Sequence, residues 1–189
     1  MDKTKESRLV YKSEWLELYE DFISVNKRPE IQQRKKESDN HIKLYNRIKI
    51  PQDCATIIPV FPDGSILMIE SYRRGVNRVV LELPGGLINN KEQANEAAIK
   101  ELQEETGYAC KILEAKGWYY VWPSKTNQKN FVFLAKQLEK VSGQMLEDTE
   151  SAKVHIVSKK EIMRKLRNRE IRSAETIAAL CYGYISYTK

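Results

Sequence analysis

The sequence predicts an α+β protein or a mixed α/β sandwich, preceded by a β-rich N-terminal module. Three observations carry this. Short β-branched and aromatic runs mix with helical runs without a regular βαβ alternation, which argues against a doubly wound parallel sheet. Residues 8–50 alternate apolar and polar in short bursts, as strands do. At 189 residues the chain suffices for one well-packed domain plus a smaller appendage. The expected boundaries are 1–52 for the module and 53–189 for the main domain.

Taken in order, "LVYKSEWLELYEDFISV" and "HIKLYNRIKI" read as short strands around a polar turn, "NKRPEIQQRKKESDN". Pro51 punctuates the chain. "CATIIPV" (54–60) and "SILMIES" (65–71) then read as a hairpin across "FPDG", whose Pro62, Asp63 and Gly64 suit a tight turn. "RVVLEL" (78–83) is a strand broken by "PGG" (84–86). A helix is expected from about Glu92 to Thr106, capped by Asn89 or Asn90 and closed by Gly107 in the left-handed conformation. "GWYYVW" (117–122), "NFVFLAKQL" (130–138) and "KVHIVS" (153–158) are further strands. Ser158 and Glu161 form a capping-box pattern that opens a helix to about Asn168. An apolar helix is expected from about Ala174 to Tyr187.

Composition narrows the function. No segment is long and apolar enough to span a membrane, and "MDKTKESRLV" lacks the apolar core of a secretory signal, so the cytoplasm is the default compartment. Cys54, Cys110 and Cys181 are odd in number and far apart, with no CxxC spacing. They read as reduced, buried or half-buried residues rather than metal or redox ligands. The net charge of +6 is dispersed, and "RKK" (34–36) and "KLRNREIR" (165–172) look like solvated faces, so nucleic acid is not the expected partner.

The chemistry concentrates in "KELQEETG" (100–107). On a helix Glu101, Glu104 and Glu105 stand at i, i+3 and i+4 and share one face. Ala94 and Ala97 fall on that side and leave the approach open, while Ala98, Ile99, Leu102 and Thr106 form a face that packs on a sheet. An acidic helix face is ordinarily just solvated. Here three crowded carboxylates would raise one another's pKa values, and Lys100 is the one basic residue close by on the helix. A divalent cation resolves the conflict, and oxygen ligands of this kind suit Mg²⁺.

The surrounding spacing says more. From Gly86 the chain runs Gly, five residues, Glu92, seven residues, then "KELQEETGY". This resembles the Nudix box, G-x5-E-x7-R-E-U-x-E-E-x-G-U, with U a bulky apolar residue. Gly86, Glu92, Glu101, Leu102, Glu104, Glu105, Gly107 and Tyr108 match. Lys100 stands where the pattern has Arg; it keeps the charge and loses the planar fork that orients a catalytic Glu. The resemblance implies the Nudix fold and a Mg²⁺-dependent hydrolase, with Mn²⁺ as the alternative ion. It implies Glu101 and Glu105 as leading metal ligands, Glu104 as ligand or auxiliary base, and the Gly85 carbonyl as a further ligand. Gly86, Glu92, Lys100 and Gly107 would support the loop and helix.

Outside the box, "YRRGVNRVVLELPGG" looks like the "QYR…ELPAG" segment of ADP-ribose pyrophosphatases. That likeness implies that Arg73 contacts substrate phosphate and that Glu82 contributes to metal or substrate binding. Pro123, about fifteen residues past the box, matches the proline of that branch, although Asn127 and Gln128 replace its usual acidic pair. "LEDTESAKVHIVSKKEI" resembles the segment with the late acidic residues, which implies Glu150 first and Asp148 second as general base or metal partner. In the same branch an N-terminal β-rich module builds a homodimer, and Trp15, Tyr19, Phe22 and Tyr45 fit either such an interface or the module's own core. The implied reaction is metal-dependent hydrolysis of a nucleoside diphosphate sugar, ADP-ribose giving AMP and ribose 5-phosphate. ADP-glucose or GDP-mannose as substrate, or a catalytically weak nucleotide-sugar-binding protein, are the alternatives.

Overall fold

Alternation of apolar and polar residues pairs the N-terminal segment into a three-stranded antiparallel sheet. Its strands are β1 (Lys3–Lys12), β2 (Glu17–Val25) and β3 (His41–Lys49), in that order. This computed structural model describes residues 3–25, 41–89, 92–146 and 152–185, so the turn expected over 26–40 lies outside the described residues. The sheet belongs to a compact unit made of Met1–Pro51 and Tyr120–Gln128. Within it the Ile48 N–H donates to the Lys125 carbonyl at 2.8 Å, and the Lys125 ammonium lies 4.3 Å from the centre of the Tyr45 ring.

The second unit comprises Gln52–Tyr119 and Lys129–Lys189. It holds β4 (Cys54–Pro59), β5 (Ile66–Arg73), β6 (Arg78–Glu82), β7 (Gly85–Leu87), β8 (Tyr108–Tyr120), β9 (Lys129–Lys140) and β10 (Ala152–Val157). They form one sheet of order β7-β4-β9-β8 and another of order β10-β5-β6. β4 runs parallel to β9 and antiparallel to β7. The helices are α1 (Ala94–Thr106), α2 (Lys159–Arg167) and α3 (Ala174–Ala179), the last continuing into a π-helical turn over Leu180–Tyr184.

β4 explains the layering. Ala55 and Ile57 pack with Ala98 and Leu102 of α1, while Ile58 and Val60 pack with Ala179, Leu180 and Tyr184 from the C-terminal helical segment. Successive side chains of a strand point to opposite faces, so an unbroken apolar run such as "CATIIPV" requires cover on both sides. Ile57, Ile58, Leu102 and Leu180 are fully buried, each contributing about 1.5–3 kcal/mol of transfer free energy.

The structure corrects four expectations. The turn after β4 forms, with the Phe61 N–H donating to the Ser65 carbonyl at 2.9 Å and Asp63 accepting from the Ser65 N–H at 2.9 Å. Yet β4 and β5 are not a hairpin: apart from a single bridge between Val60 and Ile66 they part into different sheets. Both edges of β4 are taken by β7 and β9, and both edges of β5 by β6 and β10. α1 begins at Ala94 rather than Glu92, and its cap is Gln93, whose N–H donates to Glu96 at 3.1 Å. Asn89 instead donates its N–H to Glu92 at 3.2 Å, and Asn90 lies outside the described residues. Ile99 is exposed and Ala97 buried, so the packing face of α1 is rotated toward the carboxylate side. Cys181 is exposed, whereas Cys54 and Cys110 are half-buried.

The strand expected over 117–122 is the end of the longer β8 as far as Tyr120, and Val121 and Trp122 lie in the bend beyond it. Ser158 accepts from the Glu161 N–H at 3.3 Å and caps α2. Among the described residues, no helix is long and apolar enough to cross a membrane.

Candidate active site

A strap of main chain, Glu82–Leu87, runs from β6 into β7 and is pinned by three elements. The Leu83 N–H donates to Thr176 Oγ1 of α3 at 3.1 Å. The Pro84 carbonyl accepts from the Ile57 N–H of β4 at 2.9 Å. The Gly85 N–H donates to Glu105 Oε2 of α1 at 2.8 Å. Buried polar groups must be paired, and these bonds fix the strap wherever its backbone leaves regular pairing.

α1 turns its carboxylates to this strap unequally. Glu105 is 6% exposed and reaches Gly85. Glu101 lies against Gly86, where an added Cβ would sit 2.2 Å from its Oε1. A side chain at position 86 would push the Glu101 carboxylate aside. Glu104 faces outward and pairs with Lys100 at 3.6 Å. The three carboxylates expected on one face therefore divide into two at the strap and one at the rim. Lys100 meets Glu104 across one helical turn. Gly107 ends the helix at φ 72° with its N–H donating to the Gln103 carbonyl at 2.7 Å. Lys140, reaching from β9, donates to the Thr106 carbonyl at 2.8 Å and supplies the positive charge that a helix C-terminus favours.

At the other end of the strap, Arg73 Nε donates to Glu82 Oε1 at 2.6 Å. The nine-residue spacing brings them together because β5 and β6 are antiparallel neighbours. Glu82 is 6% exposed. Burial pushes its carboxyl above the usual range, with the Arg73 guanidinium pulling back against it. Burial works against the charge on Arg73 too, but the negative fields of Glu82, Glu105 and Glu175 outweigh it and hold its pKa raised. One guanidinium thus answers three carboxylates.

A family model described as the NUDIX domain matches residues 51–180. The chain belongs to the Nudix family. Among similar proteins, the ADP-ribose pyrophosphatase of Bacillus subtilis is 29% identical over 67% of this chain and 69% of its own length. The methanol dehydrogenase activator of Bacillus methanolicus is 25% identical over the same 67% and 69%. Among solved structures, an ADP compounds hydrolase superposes with a TM-score of 0.78 at 20% identity, over 96% of this chain and 91% of that one. That last likeness speaks for the Nudix fold.

Nudix hydrolases are generally dependent on a divalent metal. The donors at the strap fit such an ion: they are all oxygens, and Glu101 and Glu105 converge on adjacent residues. Among the described residues, no three His, Cys, Asp or Glu side chains form a ready-made cage. Mg²⁺ needs none, since it keeps waters and takes substrate phosphates beside one or two carboxylates.

Of the remaining sequence-derived residues, Glu92 folds back on the loop through Asn89. Pro123 belongs to the N-terminal unit, where it lines a cleft of about 320 Å³ with Tyr45, Arg47 and Tyr120. Asp148 and Glu150 lie outside the described residues. Two features carried little signal in the sequence. Thr176 is a threonine in an apolar helix, marked only by Ser173, which caps α3 by accepting from the Thr176 N–H at 3.2 Å. The other is a buried chain beside β7: Asn130 Nδ2 donates to Thr56 Oγ1 and to the Tyr119 hydroxyl, both at 2.9 Å, and that hydroxyl donates to the Glu175 carbonyl at 3.0 Å. Cys54, close by, is an inert thiol, pushed up to about 12 by burial and by the charges of Glu175 and Asp53.

Proposed function

We propose that this Nudix protein hydrolyses the pyrophosphate bond of a nucleoside diphosphate sugar, ADP-ribose first, to AMP and ribose 5-phosphate. The observation that carries this is the convergence of Glu101 and Glu105 on Gly85 and Gly86, at one end of a strap whose other end holds the Arg73–Glu82 pair. The likeness to the ADP-ribose pyrophosphatase of Bacillus subtilis supports ADP-ribose as the first substrate to test. In this reading Glu101, Glu105 and the Gly85 carbonyl hold Mg²⁺ or Mn²⁺. A bound ion of that kind neutralises the diphosphate and lowers the pKa of a coordinated water. Arg73 binds the substrate phosphate and Glu82 orients it. Glu150, with Asp148 as the alternate, accepts the proton of the attacking water, and Glu104 assists from the rim. Gly86, Glu92, Lys100 and Gly107 keep the loop and helix in place.

The N-terminal unit, residues 1–52 in this reading, forms a homodimer with a second copy, and Pro123 is a substrate-binding residue. The exposed Leu9, Val10, Tyr11, Trp15, Ile42 and Leu44 on and beside its sheet support that role. The proposed compartment is the cytoplasm. Sedimentation velocity at micromolar protein is expected to give a dimer; a monomer overturns that part.

The reaction is tested by incubating the protein with Mg²⁺, or with Mn²⁺, and ADP-ribose, ADP-glucose, GDP-mannose or NADH. AMP and ribose 5-phosphate from ADP-ribose are expected. All four substrates surviving intact would sink the reading. One observation favours a slower, binding-dominated variant of it: Lys100 is drawn to Glu104 rather than to a carboxylate at the strap. Tight calorimetric binding of ADP-ribose without turnover selects that variant.

A further inference from the structure

The register of β5 and β6 sets Arg73 directly opposite Arg78. Like charges in that relation repel. Arg73 is engaged by Glu82 at 2.6 Å. Among the described residues Arg78 has no ion-pair partner, and neither has Arg172. Both arginines line one cleft of about 590 Å³ that opens from the Arg73–Glu82 pair. Its other carboxylates are Glu170 and Glu175. Glu170 is already held by Arg164 through bonds of 2.6 and 2.9 Å, which leaves Glu175 alone to balance Arg78 and Arg172. Val76 and Val79 line the same cleft and are 60% and 64% exposed, an apolar wall beside the cations. A space of this size suits a small-molecule ligand, and an anion within it relieves the crowding of the arginines.

We propose that Arg78 and Arg172 bind a phosphomonoester on the sugar side of the substrate, so that the preferred substrates are nucleoside diphosphate sugars carrying an additional phosphate. This choice of substrate rests on the hydrolase reading; the anion site itself does not. Both arginines are exposed, so their replacement leaves the core intact. Wild-type protein is expected to cleave ADP-ribose 1″-phosphate with kcat/KM about tenfold above that for ADP-ribose. Arg78→Ala and Arg172→Ala should each erase that preference while plain ADP-ribose is turned over as before. In a second arm, ribose 1-phosphate, which carries the additional phosphomonoester without the diphosphate, is titrated by calorimetry in the presence of a chelator, where no turnover occurs. Binding is expected to weaken about tenfold in either variant and to be partly restored by Arg78→Lys. Equal use of both substrates by the wild type, or variants that bind ribose 1-phosphate as the wild type does, would overturn the proposal. Arginine-dependent binding with no cleavage of any substrate would instead retain the anion site and remove the hydrolase reading.

Discussion

Among the described residues each unit buries two carboxylates, and the two units partner them differently. In the N-terminal sheet Glu17 is 8% exposed and meets Lys12 at 2.9 Å, Lys49 at 3.0 Å and the Tyr19 hydroxyl at 2.8 Å. Asp21 is 5% exposed and takes Arg47 at 2.8 Å and Ser7 at 2.6 Å. Both lie on β2, the central strand, facing cations on its neighbours. In the Nudix unit Glu82 and Glu105 share the field of Arg73 with Glu175, and Glu105 is anchored by the N–H of Gly85. The first pair is saturated by cations of its own sheet. The second shares one guanidinium and is positioned by a main-chain N–H at the strap. Burial alone does not mark a functional acid; what the acid is held against matters as well.

The sharpest way to break this comparison is Glu105→Gln. The amide still accepts from the Gly85 N–H, so the melting temperature should hold. Turnover should fall about a hundredfold or more, as when a charge-stabilising group is lost. Near-normal kcat would make Glu105 a structural acid like Glu17. The counterpart is Asp21→Ala, which strands Arg47 and should cost about 1–3 kcal/mol in the N-terminal sheet. Denaturant titration measures it, and the double variant with Arg47→Ala should recover part of the loss.

The pH responses should have opposite signs. Hydrogen bonds from Lys12, Tyr19 and Lys49 lower Glu17 from 4.5 to about 2. A lowered carboxylate stabilises the fold above its unfolded value and loses that contribution as pH falls from 4.5 toward about 2. Glu82 is raised above 4.5, so its contribution is present at lower pH and is lost as pH climbs past 4.5 through the raised value. Amide exchange read separately for β1–β3 and for β5–β6 should show the two limbs, and Glu17→Gln should flatten only the first. The smallest effect is expected from Lys100→Arg. Its planar fork lets it reach carboxylates that lysine leaves alone, and kcat should change less than about tenfold. A larger gain would show that Lys100 limits the present chain.

Much of this was legible in the sequence because the signals are local. The spacing from Gly86 to Tyr108 fixes a helix with its carboxylates, and Gly107 announces the helix end. Arg73 and Glu82 were each legible through their flanking motif, but their ion pair was not; it follows from the antiparallel pairing of β5 with β6. What was not legible is non-local. "FPDG" dictates a turn, but which neighbours β4 and β5 accept depends on strands from β6 to β10. Residues 120–128 join the N-terminal unit by pairing with β3 at Ile48, which no nearby residue foretells. Glu104 and Glu101 look equivalent on a helical wheel; the sheet beneath decides that one faces the strap and the other Lys100. Thr176 lies far along the chain from the strap it ties down.

That strap has a bearing on how the protein matures. Its three anchors, Ile57, Glu105 and Thr176, come from well-separated segments that enter the fold at different points of synthesis. A chain that has folded only β4, β7 and α1 holds two of the three, with the Leu83 N–H still without Thr176. The strap gains its third anchor when α3 docks. Metal affinity would then report on completion of the whole unit, and an unfinished chain would neither sequester the ion nor cut a diphosphate.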